Sequence, residues 1–228
     1  MRLTAVPRKC LWSLALLIPG FTGAARASTT PFSLFLDSLP NQWNYSFGHI
    51  TATAAVANFF SFPPPNQILN YSGPVTYTVD ANSTGLPVIN GNTITQPFGG
   101  HMTFKSGSAT VLDVVFVGAL LSGQQGSLSG GIAGDTNISG EIISYSADPG
   151  FVVSAFDPPY SFSISLTGTS PIGLNGNQTA LNPFTATASG SFAAEAPPAG
   201  AGVPEPASVA LLGIAAPLLL RRGKRASR

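Results

Sequence analysis

The chain has 228 residues, ten of them Lys or Arg and nine Asp or Glu, for a formal net charge of +1. The charges are segregated: nine of the ten bases lie near the two ends, and between residues 28 and 203 Lys105 stands alone against eight acids, a net −7. Phosphate contacts require clustered Lys and Arg, so nucleic-acid binding is excluded, and with 8% charged residues so is a charge-laced helical bundle.

Residues 1–27 read as a signal peptide, to be handled by the export machinery and signal peptidase. Arg2, Arg8 and Lys9 make a positive start, and the apolar run from Cys10 to Ile18 ends at Pro19-Gly20. Ala25-Arg26-Ala27 supplies the small-x-small pattern for a cut before Ser28. The run is shorter than the roughly 20 residues that span a bilayer. Cys10, the only cysteine, leaves with this segment, so the mature chain relies on its core and hydrogen bonds alone.

Residues 28–195 predict one all-β ectodomain. They contain 22 Ser, 17 Thr and 12 Asn, a composition that favours strands and turns over helix. Apolar residues recur with a period of two in Trp43/Tyr45/Phe47, with His49 continuing the row, and in Val75/Tyr77/Val79, Phe162/Ile164/Leu166 and Phe184/Ala186/Ala188. The run from Val111 to Val117, interrupted by Asp113, predicts a central strand buried on both faces. Asn90-Gly91 predicts a hairpin. Pro63-Pro64-Pro65 and Asp157-Pro158-Pro159 predict rigid loops, and the Gly/Ser-rich residues 126–134 a flexible loop or small edge strand. About nine or ten short strands at this spacing point to a β-sandwich or jelly roll.

Residues 196–202, Ala-Pro-Pro-Ala-Gly-Ala-Gly, read as a linker. In residues 203–228, Val203-Pro204-Glu205-Pro206 is a stiff, extended segment. An uncharged apolar stretch follows to Leu220, then a basic stop of Arg221, Arg222, Lys224 and Arg225. Residues 207–220 predict a short membrane helix of about 21 Å, weakened by Pro217. The basic residues place its far end on the cytoplasmic side.

Pro204-Glu205-Pro206, Ala207-Ser208, Leu211-Leu212-Gly213 and Arg221-Arg222 together resemble the PEP-CTERM family of exported bacterial proteins, whose tail is also catalogued as an ice-binding-protein C-terminal domain. The resemblance implies an exosortase, a membrane-embedded cysteine transpeptidase or protease, as partner, cutting near the motif. It further implies transient anchoring in the inner membrane, release to the cell surface or medium, and association with exopolysaccharide and biofilm. The ectodomain is loosely similar to other ectodomains of that family, which implies no activity.

Catalytic residues are not evident. The mature segment has no cysteine, no Gly-x-Ser-x-Gly elbow followed by an acid and a histidine, and only His49 and His101, which read as strand residues. Eight acids leave a glycosidase pair open without pointing to one. Asp80-x-Asn82-x-Thr84-Gly85 and Asp135-x-Asn137-x-Ser139-Gly140 share spaced oxygen donors that resemble the start of a calcium loop. Neither has the Glu at the twelfth position, and the same residues serve ordinary turns. Asn-x-Ser/Thr occurs at Asn44, Asn70, Asn82, Asn137 and Asn177. Trp43, Tyr45, Phe47, Phe59 and Phe60 are candidates for stacking on sugars, with core packing the stronger reading. The sequence therefore favours a non-enzymatic surface or matrix protein without a cofactor. A carbohydrate-binding or adhesive module, with or without calcium, comes second, and a hydrolase third.

Overall fold

The computed structural model describes residues 29–62, 67–168, 170–176 and 180–195. The signal-cleavage residues Ala25, Ala27 and Ser28, the proline run 63–65, Asn177, the linker, the sorting motif 203–206 and the basic stop lie outside the described residues. The described chain has no helix and eleven strands. They are β1 (Thr29–Asp37), β2 (Trp43–Ser46), β3 (His49–Ser61), β4 (Gly73–Ser83), β5 (Val88–Asn90), β6 (Thr93–Ser106), β7 (Ala109–Gln124), β8 (Ser129–Asp135), β9 (Ile142–Ser146), β10 (Asp157–Gly168) and β11 (Phe184–Glu195). Alternation drives them: on β4, Val75, Tyr77, Val79 and Ala81 are buried while Thr76, Thr78, Asp80 and Asn82 are exposed.

All pairings are antiparallel and follow the order β6-β4-β3-β1-β11-β10-β8-β7. A long β6–β7 ladder, from Thr93↔Gln124 to Ser106↔Ala109, then joins the last strand to the first. The all-β expectation holds, but the two stacked sheets of a sandwich are replaced by one closed eight-stranded barrel. A single buried face per strand is common to both architectures; the β6–β7 register decides between them.

Eleven strands fill eight staves because three staves are broken. β2 continues the line of β1, since both lie between β11 and β3. β5 continues β4 along β6, and β9 continues β8 along β7. The chain leaves the wall at residues 38–42, 84–87 and 136–141 and then rejoins it.

Side chains take over hydrogen bonds near each break. At the first, the Asp37 carboxylate accepts the Ala188 N–H at 2.7 Å. Gln42 accepts from Val56 N–H at 2.6 Å and donates to Val56 O at 2.8 Å. At the second, buried Gln96 donates to Gly85 O at 3.3 Å and accepts from the Tyr45 hydroxyl at 3.2 Å. At the third, Glu141 accepts the Asp135 N–H at 2.7 Å. Beside it β7 turns at Gly118, whose φ is +86°; an added Cβ would stand 3.0 Å from Gly140 O.

The interior is filled, not hollow. Phe35, Phe59, Tyr77, Phe104 and Phe192 form a buried aromatic centre, and Phe32, Tyr145, Phe156 and Phe162 extend it. Apolar side chains face in and many hydroxyls face out, the reverse of a barrel wall exposed to lipid.

Several local expectations are corrected. Phe47 does not share the row of Trp43 and Tyr45. It lies with Gly48 in a tight turn, both at positive φ, and is exposed. Val115 and Val117 are also exposed, because the outer face of a barrel strand has nothing packed on it. Residues 129–135 are an internal stave between β10 and β7, not a loop or edge. Asp157-Pro158-Pro159 opens β10. The hairpin at Asn90-Gly91 forms, with Asn90 paired to Thr93, so Gly91 and Asn92 make the turn.

Thr29 pairs with Glu195, so the described chain starts and finishes at one end of the barrel on adjacent strands.

Candidate functional site

The two Asp-x-Asn-x-Ser/Thr-Gly segments occupy different structures. Asp80 and Asn82 stand on the outer face of β4, at alternate strand positions about 6.6 Å apart. Thr84 follows the strand, its N–H donating to Pro97 O at 2.9 Å. The Asp80 carboxylate lies 2.7 Å from His49 Nε2. The second segment is a turn. Asp135 Oδ1 accepts the Asn137 N–H at 2.8 Å, and Asp135 O accepts the Ile138 N–H at 2.9 Å. Asn137 and Ser139 are exposed on it. Among the described residues no three His, Cys, Asp or Glu side chains stand together as a metal-binding group.

The outer wall gathers both histidines. Asp80 and His101 are cross-strand partners on β4 and β6. His101 Nε2 lies 2.6 Å from Asp113 Oδ1, which also accepts the Thr103 hydroxyl at 2.8 Å. Thr103 Oγ1 is 3.3 Å from the same ring nitrogen. A nucleophile–His–Asp relay uses the two opposite ring nitrogens, and here acid and hydroxyl share one. The set is a hydrogen-bonded cluster on the exposed outer wall of the barrel. Sequence reading could not find these pairs, because 31 residues separate His49 from Asp80 and 12 separate His101 from Asp113.

Of the aromatic candidates for stacking, Trp43, Tyr45 and Phe59 are buried, and Phe47 and Phe60 are exposed. Trp43 Nε1 donates to the Tyr77 hydroxyl at 2.7 Å, which donates in turn to Asp37. Burial raises the Tyr77 hydroxyl above its ordinary value, and the Asp37 carboxylate adds to this. Tyr145 is raised by burial, its hydroxyl donating to Ser161 O at 2.6 Å. Neither phenol is set up as a base.

A groove of about 520 Å³ crosses the outer wall over β1, β11, β10, β8 and β7. Ser161, Ser163, Ser191 and Ala133 are among the residues that line it, while Asp135 and Glu141 bring carboxylates from the third break. Among the described residues no Lys, Arg or His lines it. Only the alternating serines of β10 hint at it locally, since the lining residues come from distant strands.

No protein family, curated protein or solved structure matches the chain.

Proposed function

We propose that this is an exported, non-enzymatic surface or matrix protein, sorted through its C-terminal segment. Signal peptidase cuts before Ser28. The apolar stretch after Pro204-Glu205-Pro206 holds the precursor in the inner membrane, and an exosortase cuts near the motif. The product is a β-barrel domain with a net charge of −7 at the cell surface or in the extracellular polymer. The observation that carries the reading is the coincidence of Pro-Glu-Pro, apolar stretch and basic stop in that order. The pairing of Thr29 with Glu195 is in keeping with it: the residues next to the two processed segments lie at one end of the barrel. Intact-mass measurement of the exported chain tests it. The expected chain starts at Ser28 and ends close to Pro206. An extracellular chain that still carries Arg221 to Arg228 overturns it.

A second reading, a glycan-binding module, is favoured by the groove. Its hydroxyls can both donate to and accept from a polyhydroxylated chain. Its two carboxylates and lack of cations select against acidic polymers. The expected result is retention of the protein on a neutral glucan, weak retention on a polyuronate, and loss of the former in Ser163→Trp, which fills the groove. Equal retention of Ser163→Trp and wild type sinks this reading.

A further inference from the structure

Among the described residues, the end of the barrel opposite Thr29 and Glu195 is formed by the β2–β3 turn (47–48) and the runs 84–92, 125–128, 170–176 and 180–183. Hydrogen bonds tie each run to the next around the circle. Ser83 N–H donates to Gly48 O at 2.7 Å, Gln125 N–H to Asn92 O at 2.9 Å, and Gly126 N–H to Ile172 O at 2.7 Å. The Tyr45 hydroxyl oxygen closes the ring, accepting from Leu181 N–H at 3.2 Å and Gly48 N–H at 3.1 Å. The described connections are thus hydrogen-bonded into one rim.

That rim presents Phe47, Leu86, Val88, Leu128 and Ile89, which are 88%, 68%, 59%, 56% and 43% exposed. These stretches contain no Asp, Glu, Lys, Arg or His, in a domain that otherwise carries eight acids. Several large exposed apolar side chains on an end without charge mark a contact site.

We infer that the rim binds a second copy of this chain, end to end about a twofold axis. Charge selects this partner. Apposing two neutral rims keeps the acids of both domains away from the contact, whereas most other orientations bring acidic walls together. Such an interface must be self-complementary, and exposed Asn90, Asn92 and Gln125 carry amides that both donate and accept. A phospholipid surface fits less well, because the rim offers no Lys or Arg to its phosphates. Thr29 and Glu195, where the described chain starts and finishes, lie at the far end. The contact does not depend on how the C-terminal segment is processed.

The full chain, in a Cys10→Ser background, has no thiol, so single cysteines report proximity. With a bis-maleimide, Asn92→Cys on the rim is expected to cross-link into dimers, and Ser108→Cys in the β6–β7 turn at the other end is not. Sedimentation should show a concentration-dependent dimer whose dissociation constant rises at least about a hundredfold in Phe47→Asp. Leu86→Asp gives a second reading should Phe47→Asp lose its β-sheet circular dichroism. A chain that stays monomeric overturns the inference, as does equal cross-linking at both positions or a dimer indifferent to both aspartates. A monomer that floats with phosphatidylcholine vesicles also overturns it and assigns the rim to lipid.

Discussion

Phe104→Ala is expected to lower the free energy of unfolding by about 3–5 kcal/mol, read as a lower urea midpoint at unchanged slope. Phe104 is fully buried on β6. Its ring centroid lies 5.1 Å from that of Phe35, 5.4 Å from Phe59, 5.3 Å from Tyr77 and 5.5 Å from Phe192. Those rings come from β1, β3, β4 and β11, so truncation opens a cavity bordered by half the staves. Main-chain pairing holds the strands in place and limits collapse into the space. A loss under about 1 kcal/mol would show that the rings repack around the gap and that the centre is not a fixed core.

Asp37→Ala should cost about 2–4 kcal/mol at neutral pH, because it leaves the Ala188 N–H and the Tyr77 hydroxyl without their acceptor. Asp37→Asn should cost less, since an amide oxygen can still accept one of the two. Burial raises the Asp37 carboxyl above its ordinary value of 3.8, against the lowering effect of hydrogen bonds from Tyr77, Ala188 and Gln42. The fold therefore binds this proton more tightly than the unfolded chain does. The stability linked to it is complete below the unfolded value and is lost as pH rises through the raised folded value. Stability measured from acid to neutral pH should contain that falling component in the wild type and lack it in Asp37→Asn. Parallel profiles would show that Asp37 titrates alike folded and unfolded.

The inward rows were legible because a period of two is local. Val75/Tyr77/Val79, Phe162/Ile164/Leu166 and Phe184/Ala186/Ala188 all point into the barrel. Closure was not legible, since it rests on β6–β7 pairing that any hairpin of a sandwich could also use. The broken staves were hidden for a related reason. No local pattern marks Asp37, Gln42 and Glu141, and only the partner strands reveal that they replace ladder bonds. Phe47 was misassigned to a strand face because the alternation ran through a turn that Gly48 permits. On the wall, spacing exposed the repeated Asp-x-Asn pattern but could not tell a strand from a turn. It therefore grouped two segments that the fold treats differently.

The shared departure point of Thr29 and Glu195 also has a mechanical meaning. Tension applied at Glu195 and resisted at the rim runs along β11. That strand is matched to β1 at seven positions and to β10 at nine. Bonds perpendicular to the load share it in shear and must yield together, whereas a pull across a sheet edge opens them one at a time. A load between Glu195 and the rim is therefore shared among ladder bonds on both sides of β11.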